Sequence, residues 1–274
     1  MTCLTNQSQL IAVRLTSVGR RFTLQDGQVY TAVQDITLDV AASSFISVVG
    51  PSGCGKSTVL NLIAGLLEPS TGTVEIFGKA LRGINRRASY VFQQDALLPW
   101  KTVVENIGLG LRFRGVDRRE SRAKAMEWVH RVGLSGFGDA YPYQLSVGMR
   151  KRAAMAQSWI VEPDMVLMDE PFGALDIHTR QRMEAEILDL WSGAPKTVVF
   201  VTHDLEEAIS LSERVVVLAA GPGSRIVGDY RIDLPRPRDL TNIRVDPVFR
   251  DLYRSIWTIL REEVLRSYAQ QAEA

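Results

Sequence analysis

The chain has 274 residues, 46% of them hydrophobic and 23% charged, with 32 Lys and Arg against 31 Asp and Glu for a formal charge of +1. That length buries a sizeable core, which excludes stapled mini-scaffolds and fibrous chains, and the charge balance excludes both disorder and bulk attraction to nucleic acid. Cys3, Cys54 and three scattered histidines make no disulfide framework or metal cluster and fit a reducing compartment. No run reaches the roughly 18 apolar residues of a membrane span. The opening MTCLTNQSQL lacks the basic start and apolar stretch of a signal peptide, so any membrane role is expected through a partner.

In chain order, Leu10 to Leu15 and the alternating Val29, Ala32, Ile36, Leu38 and Val40 suit half-buried strands. With turn residues Gln25 to Gln28 between them, they predict an antiparallel layer. Phe45 to Val49 is a short apolar run entering a glycine-rich loop, and Lys56 to Leu66 has helical composition. Buried strands are expected at Ala88 to Phe92, Met165 to Met168, Val198 to Val201 and Val215 to Leu218. Helical stretches separate them, the alternation of an α/β fold with a mostly parallel sheet covered by helices. Between Ser89 and Met165 the periodicity is helical, including Arg118 to Val132 and Ser146 to Ile160, and predicts a helical insertion. The tail passes through Gly221-Pro222-Gly223 and Leu234-Pro235-Arg236-Pro237-Arg238. It ends in a helix with Phe249, Leu252, Ile256, Leu260 and Val264 on one stripe.

Gly50-Pro51-Ser52-Gly53-Cys54-Gly55-Lys56-Ser57 satisfies G-x-x-x-x-G-K-[ST] after an apolar strand and at the start of a helix. Glycines let successive N–H groups point at a triphosphate, and the helix N-terminus adds its positive end. Lys56 then spans the β and γ oxygens, Ser57 ligates Mg²⁺ and Thr58 reaches the α-phosphate. The run Met165 to Glu170 ends in two carboxylates, which places them at the carboxyl edge of a buried strand. Asp169 is suited to hold Mg²⁺ through water, and Glu170 to orient and deprotonate an attacking water.

With these two elements in order, the chain resembles the ATP-binding subunits of ABC transporters over nearly its whole length. Val91-Phe92-Gln93 looks like the Q-loop, Leu145-Ser146-Val147-Gly148-Met149 like the signature, Gly173-Ala174-Leu175-Asp176 like the D-loop, and Val201-Thr202-His203-Asp204 like the switch histidine. The resemblance implies the P-loop ABC ATPase fold: a mixed sheet core, an N-terminal antiparallel β subdomain and an inserted helical subdomain. It implies an ATPase domain over residues 1–240, its helical part at about 95–162, and a helical tail over 241–274. ATP and Mg²⁺ are the implied ligands. Gln93 would sense nucleotide and metal, His203 would bridge the γ-phosphate and water, and Phe22 would stack on adenine, with Tyr30 as the alternative.

The same resemblance implies a homodimer in which Ser146 and Gly148 of one copy complete the phosphate site of the other, with Asp176 near the seam. It implies integral permease subunits, an indirect link to a solute-binding protein, no nucleic acid, and a peripheral place on the cytoplasmic face of the inner membrane. Leu97-Leu98-Pro99-Trp100 and the Leu-Pro-Arg-Pro-Arg tail look like the nitrate, sulfonate and taurine importer branch, with Trp100 either in a permease groove or in the core.

Two features fit less simply. Val147 stands where family members carry glycine; its β-branch excludes positive φ and adds bulk, so slower turnover is expected. Arg150, Lys151 and Arg152 read as a solvated basic face. Other P-loop classes fit poorly. A repair ATPase needs a long coiled coil before its signature, a translation factor carries two cassettes, and a kinase needs neither the signature helix nor His203. A low-turnover regulatory subunit would not need Lys56, Asp169, Glu170 and His203 intact.

Overall fold

The computed structural model describes residues 10–173 and 175–273. Cys3, Ala174 and all of the N-terminal segment except Leu10 lie outside the described residues. Two long strands open the fold, β1 (Ile11–Thr23) and β2 (Val29–Ala41), antiparallel around the expected turn. The strand expected to stop at Leu15 continues to Thr23, because register shifts and a positive φ of 47° at Ser17 interrupt its alternation without ending its pairing.

The parallel core begins with β3 (Phe45–Val49) and α1 (Lys56–Ala64). The chain then returns to the first layer as β4 (Thr71–Ile76) and β5 (Lys79–Ala80), giving an antiparallel order β2-β1-β4-β5. No strand was expected at β4, whose Gly72 has φ 78°. A Cβ there would lie 2.3 Å from the Thr16 carbonyl, so the glycine accommodates the β1 irregularity.

After β6 (Ala88–Val91) come the helices α2 (Val103–Ile107), α3 (Leu109–Phe113), α4 (Arg118–Arg131) and α5 (Val147–Trp159). They share a core of their own, including Val104, Ile107, Val129, Leu134, Ala153 and Ile160. The expected helices at Arg118 and Ser146 are therefore present, with Ser146 as N-cap. The main sheet resumes with β7 (Met165–Asp169), then α6 (Ile177–Gly193), β8 (Thr197–Val201), α7 (Leu205–Leu211), β9 (Arg214–Leu218) and β10 (Ile226–Arg231). Its order is β10-β9-β3-β8-β7-β6, parallel except for the β9–β10 pair.

Alternation along the strands assigns the two faces. Val199 and Val201 face α1 and the antiparallel layer, whereas Val198 and Phe200 face Trp159 and α6. The final helix, α8 (Pro247–Glu273), buries Phe249, Ile256 and Leu260 against α7 and β9, which accounts for the sequence stripe. No described helix is long and apolar enough to cross a membrane.

One buried amide fixes the loop into the helical layer. Asn106 accepts the Leu98 N–H at 2.7 Å and donates to the carbonyls of Leu98, Lys101 and Thr102 at 3.0–3.1 Å. This holds Trp100 on the outside, 70% exposed, so packing of Trp100 in the core does not occur. Asn106→Ala strands the Leu98 N–H and the Lys101 carbonyl, since the Leu98 and Thr102 carbonyls keep backbone donors, and is expected to cost about 2–3 kcal/mol, measurable as a lowered midpoint in denaturant unfolding.

Candidate active site

Parallel register brings the chemistry together. Val48, Val201 and Asp169 align in one row across β3, β8 and β7. The loops leaving those strands therefore emerge side by side at the carboxyl edge. Val91 pairs with Met168, so Gln93, two residues further on, leaves the sheet level with Glu170. From β3 the phosphate loop curls through left-handed Gly53 (φ 77°) and Gly55 (φ 94°). At Gly55 a Cβ would come within 2.6 Å of the Val33 side chain, so only glycine fits.

Gly55 offers no capping side chain to α1, which leaves the first N–H groups of that helix available to an anion. Lys56 is buried, donating to the Gly50 and Pro51 carbonyls at 2.9 and 3.0 Å, and lies 3.8 Å from Glu170 Oε1. Ser52 and Gly53 are exposed at the mouth, Ser57 is exposed and Thr58 half-buried. Cys54 contributes backbone only: its thiol points into the core, and burial pushes its ionisation up.

Asp169 meets the loop directly. Ser57 Oγ donates to Asp169 Oδ1 at 3.0 Å, and Tyr90 donates to Oδ2 at 3.2 Å. Burial pushes the Asp169 carboxyl above its usual range, against those two hydrogen bonds, and burial beside Asp169 pushes the Tyr90 phenol up as well. A hydroxyl and a carboxylate held together are a hard-oxygen donor set that fits Mg²⁺, which keeps waters and phosphate oxygens for its other positions. No cluster of three His, Cys, Asp or Glu ligands exists among the described residues. Tyr90 was not singled out from the sequence, although alternation in β6 puts it on the same face as the Ala88 end of the α1 core.

Glu170 follows with φ 43°, in the left-handed region, at a cost on the order of 1–3 kcal/mol. Its N–H donates to the Val201 carbonyl at 2.9 Å, and this turn swings the carboxylate toward both Lys56 and His203, whose Nδ1 lies 3.1 Å from Glu170 Oε2. Thr202 Oγ1 donates to Glu207 Oε2 at 2.6 Å, and Asp204 caps α7 through the Glu206 and Glu207 N–H groups. An ammonium, a carboxylate and an imidazole thus face the mouth of the phosphate loop, an arrangement able to hold a γ-phosphate and activate water beside it.

The remaining sequence-derived residues lie elsewhere. A separate cleft of about 500 Å³ is lined by Ser146, Val147, Gly148, Asp176 and Thr179 and contains no residue of the phosphate loop, nor Asp169, Glu170 or His203. Ser146 Oγ accepts the Met149 N–H at 3.3 Å, and Asp176 Oδ1 accepts the Thr179 N–H at 3.0 Å; the Thr179 hydroxyl, and then this N–H, hold the Asp176 carboxyl below its usual range. Val147 is the first helical residue and is absent from the left-handed region, so the φ argument against it does not apply; only its exposed bulk remains.

The basic run is not a solvated face. Lys151 is buried, donates to the Gln93 and Phe92 carbonyls and pairs with Asp95 at 3.6 Å, while Arg150 meets Asp95 at 2.8 Å. Burial lowers the Lys151 ammonium from its usual range, and Asp95 opposes that. Sequence spacing hid this, because Asp95 is 55 residues from Arg150. Phe22 and Tyr30 are cross-strand partners. Arg20 covers the Phe22 ring at 4.7 Å, and the Tyr30 hydroxyl lies against Gly221, beside Gly53.

A glycine loop with a buried lysine, closed by an Asp-Glu pair and a histidine on one sheet edge, defines a P-loop nucleoside triphosphatase. The ABC transporter family model matches residues 33–173. An uncharacterised ABC transporter ATP-binding protein of Methanocaldococcus jannaschii is 47% identical over 242 residues, covering 88% of this chain and 89% of its own length. The taurine import ATP-binding protein TauB of Rhizobium johnstonii is 42% identical, with 90% and 96% covered, and TauB of Pelagibacter ubique is 38% identical, with 94% and 98% covered. Among solved structures, the dimeric ATP-binding cassette MJ0796 in a post-hydrolysis state bound to ADP and Pi superposes with a TM-score of 0.73 at 31% identity. That alignment covers 81% of this chain and all of that one. The chain belongs to the ABC transporter family, as an ATP-binding subunit with the ABC ATPase fold.

Behind His203 lie two buried carboxyls, Glu184 on α6 and Glu207 on α7, both pushed up to about 7 by burial. The folded chain keeps their protons where the unfolded chain, near the ordinary value of 4.5, releases them, so stability falls as pH rises from about 4.5 to 7. Glu184→Gln removes one such group. It is expected to raise the melting midpoint at pH 8 by about 3 °C and to change it much less at pH 5; equal shifts at both pH values would contradict the assignment.

Proposed function

We propose that this ATPase works as a homodimer that energises uptake of a small sulfonate, taurine or nitrate-like anion through separate permease subunits. The observation that carries the reading is the division of the site. The phosphate-loop group and the Ser146 cleft are each built from residues suited to triphosphate, yet they do not meet within one chain. A second copy turned head to tail brings the free N–H groups of α5 to the γ-phosphate held by Lys56, in an isologous arrangement that makes two sites at once. The dimeric state of the MJ0796 cassette supports this. The TauB names of two relatives support the taurine and sulfonate branch.

In this reading Gly50 to Thr58 cradle the phosphates, and Ser57, Asp169 and Gln93 would hold Mg²⁺, which would supply charge neutralisation to the phosphates. Glu170 takes the proton of the attacking water, His203 orients the Glu170 carboxylate and contacts the γ-phosphate, and Phe22 or Tyr30 stacks on adenine. Exposed Trp100 offers an aromatic anchor to a permease helix. That contact would make the subunit peripheral to the cytoplasmic face of the membrane, with the solute-binding protein reached only through the permease. Residues 1–240 form the ATPase unit, with its helical part at about 95–162, and 241–274 the tail.

Glu170→Gln tests the site and the assembly together. It retains the hydrogen-bonding shape without the base, so ATP binding is expected to persist while turnover falls by about 10²-fold or more. Light scattering after gel filtration is expected to show an ATP-dependent dimer. Unimpaired hydrolysis removes Glu170 from its role, and a variant that stays monomeric in ATP overturns the two-chain site.

A further inference from the structure

The segment before α6 and the segment before α7 are joined by one side chain. Arg180, one turn into α6, donates from Nη2 to the Leu175 carbonyl and from Nη1 to Asp204 Oδ2, both at 3.3 Å, and its Nε lies 3.6 Å from Glu207 Oε1. Leu175 precedes Asp176, which lines the Ser146 cleft. Asp204 follows His203, and Glu207 accepts from Thr202, which precedes it. The fork of one guanidinium therefore spans from the cleft wall to Asp204 and, through Glu207, to Thr202, the residues on either side of the histidine that contacts Glu170.

Arginines tie both ends of α7. At its C-terminal end, half-buried Arg238 donates from Nη1 to the carbonyls of Ile209, Ser210 and Ser212 at 3.1, 2.9 and 2.7 Å, while Arg236 donates to Leu211 at 2.8 Å and lies over the Trp191 ring at 4.4 Å. This is the work of the Leu-Pro-Arg-Pro-Arg segment, and it fixes that end. At the N-terminal end the contacts of Arg180 are at the long limit of hydrogen bonding and the side chain is 28% exposed. Arg180 adds a link to the preceding segment at an end already held by the Asp204 cap, the Thr202–Glu207 hydrogen bond and the Arg244–Glu206 pair at 2.9 Å.

We infer that Arg180 is a positioning residue that couples the Leu175-Asp176 segment to His203, so that a second chain seated against Asp176 sets the histidine against Glu170. This deepens, and rests on, the two-chain reading of the site. The polar contacts of Arg180 are with Leu175, Asp204 and Glu207 and with no residue of the phosphate loop, so its loss should slow turnover without weakening ATP binding.

The experiment measures steady-state ATP hydrolysis by the full chain carrying Arg180→Met, Arg180→Lys or Asp204→Asn. Asparagine caps a helix as well as aspartate does, so Asp204→Asn removes the ion pair while keeping α7 capped, and it decides the matter if Arg180→Met does not fold. Expected are a kcat lower by about tenfold for Arg180→Met and Asp204→Asn, a KM for ATP within about threefold of the parent, and partial recovery in Arg180→Lys, which retains charge but not the fork. ATP-dependent dimerisation of Glu170→Gln is expected to be unchanged by adding Arg180→Met. Unchanged kcat, or a KM rising in step with the loss of kcat, overturns the role of Arg180. Failure of Glu170→Gln itself to dimerise overturns the two-chain reading instead.

Discussion

Lys56 is a buried ammonium at the edge of a parallel sheet, and its charge organises what surrounds it. Removed from water, it is satisfied by two carbonyls of its own loop and faced by the Glu170 carboxylate, so the loop must curl and the Asp-Glu strand must lie within reach. Strand order supplies that reach. With β8 between β3 and β7, the phosphate loop, the carboxylate pair and His203 leave the same edge within a few ångströms of one another. The positive φ of Glu170 and the left-handed glycines are local strains that this packing holds in place.

Around this centre, buried polar links join elements that are far apart in the chain. Asn106 shapes the loop that exposes Trp100. Asp95 with Arg150 and Lys151 ties the segment after β6 to the signature helix, and Arg236 with Arg238 closes the end of α7. Glu263 on α8 accepts the Ala220 N–H at 2.8 Å, next to the Gly221 that packs on the phosphate loop. The C-terminal helix is thereby tied to the back of the nucleotide site, and none of these links requires a residue that touches the nucleotide. Each fixes the backbone from which a reacting group is presented, so their effects should appear in geometry before they appear in binding.

Much of the fold was legible in the chain order of residues because the governing signals are local. Apolar runs bounded by turns located β3 and β6 through β9, the loop motif located α1, and a 3.6-residue stripe located α8. Thr71–Ile76 and Ile226–Arg231 escaped notice, since both are short, partly exposed strands whose pairing is with distant segments. The phosphate loop, the carboxylates and the histidine were legible as residue types at characteristic spacings.

What sequence alone determined was which groups are present and which local backbone presents them: glycines at left-handed positions, a lysine opening a helix, serine and aspartate as caps. Only the tertiary structure decided which of those groups meet. It put Tyr90 on Asp169, buried Lys151 beside Asp95, relieved Val147 of backbone strain, and left the Ser146 cleft apart from the phosphate loop. The reason is that contact between residues more than fifty positions apart depends on strand order and helix packing, which no local pattern encodes.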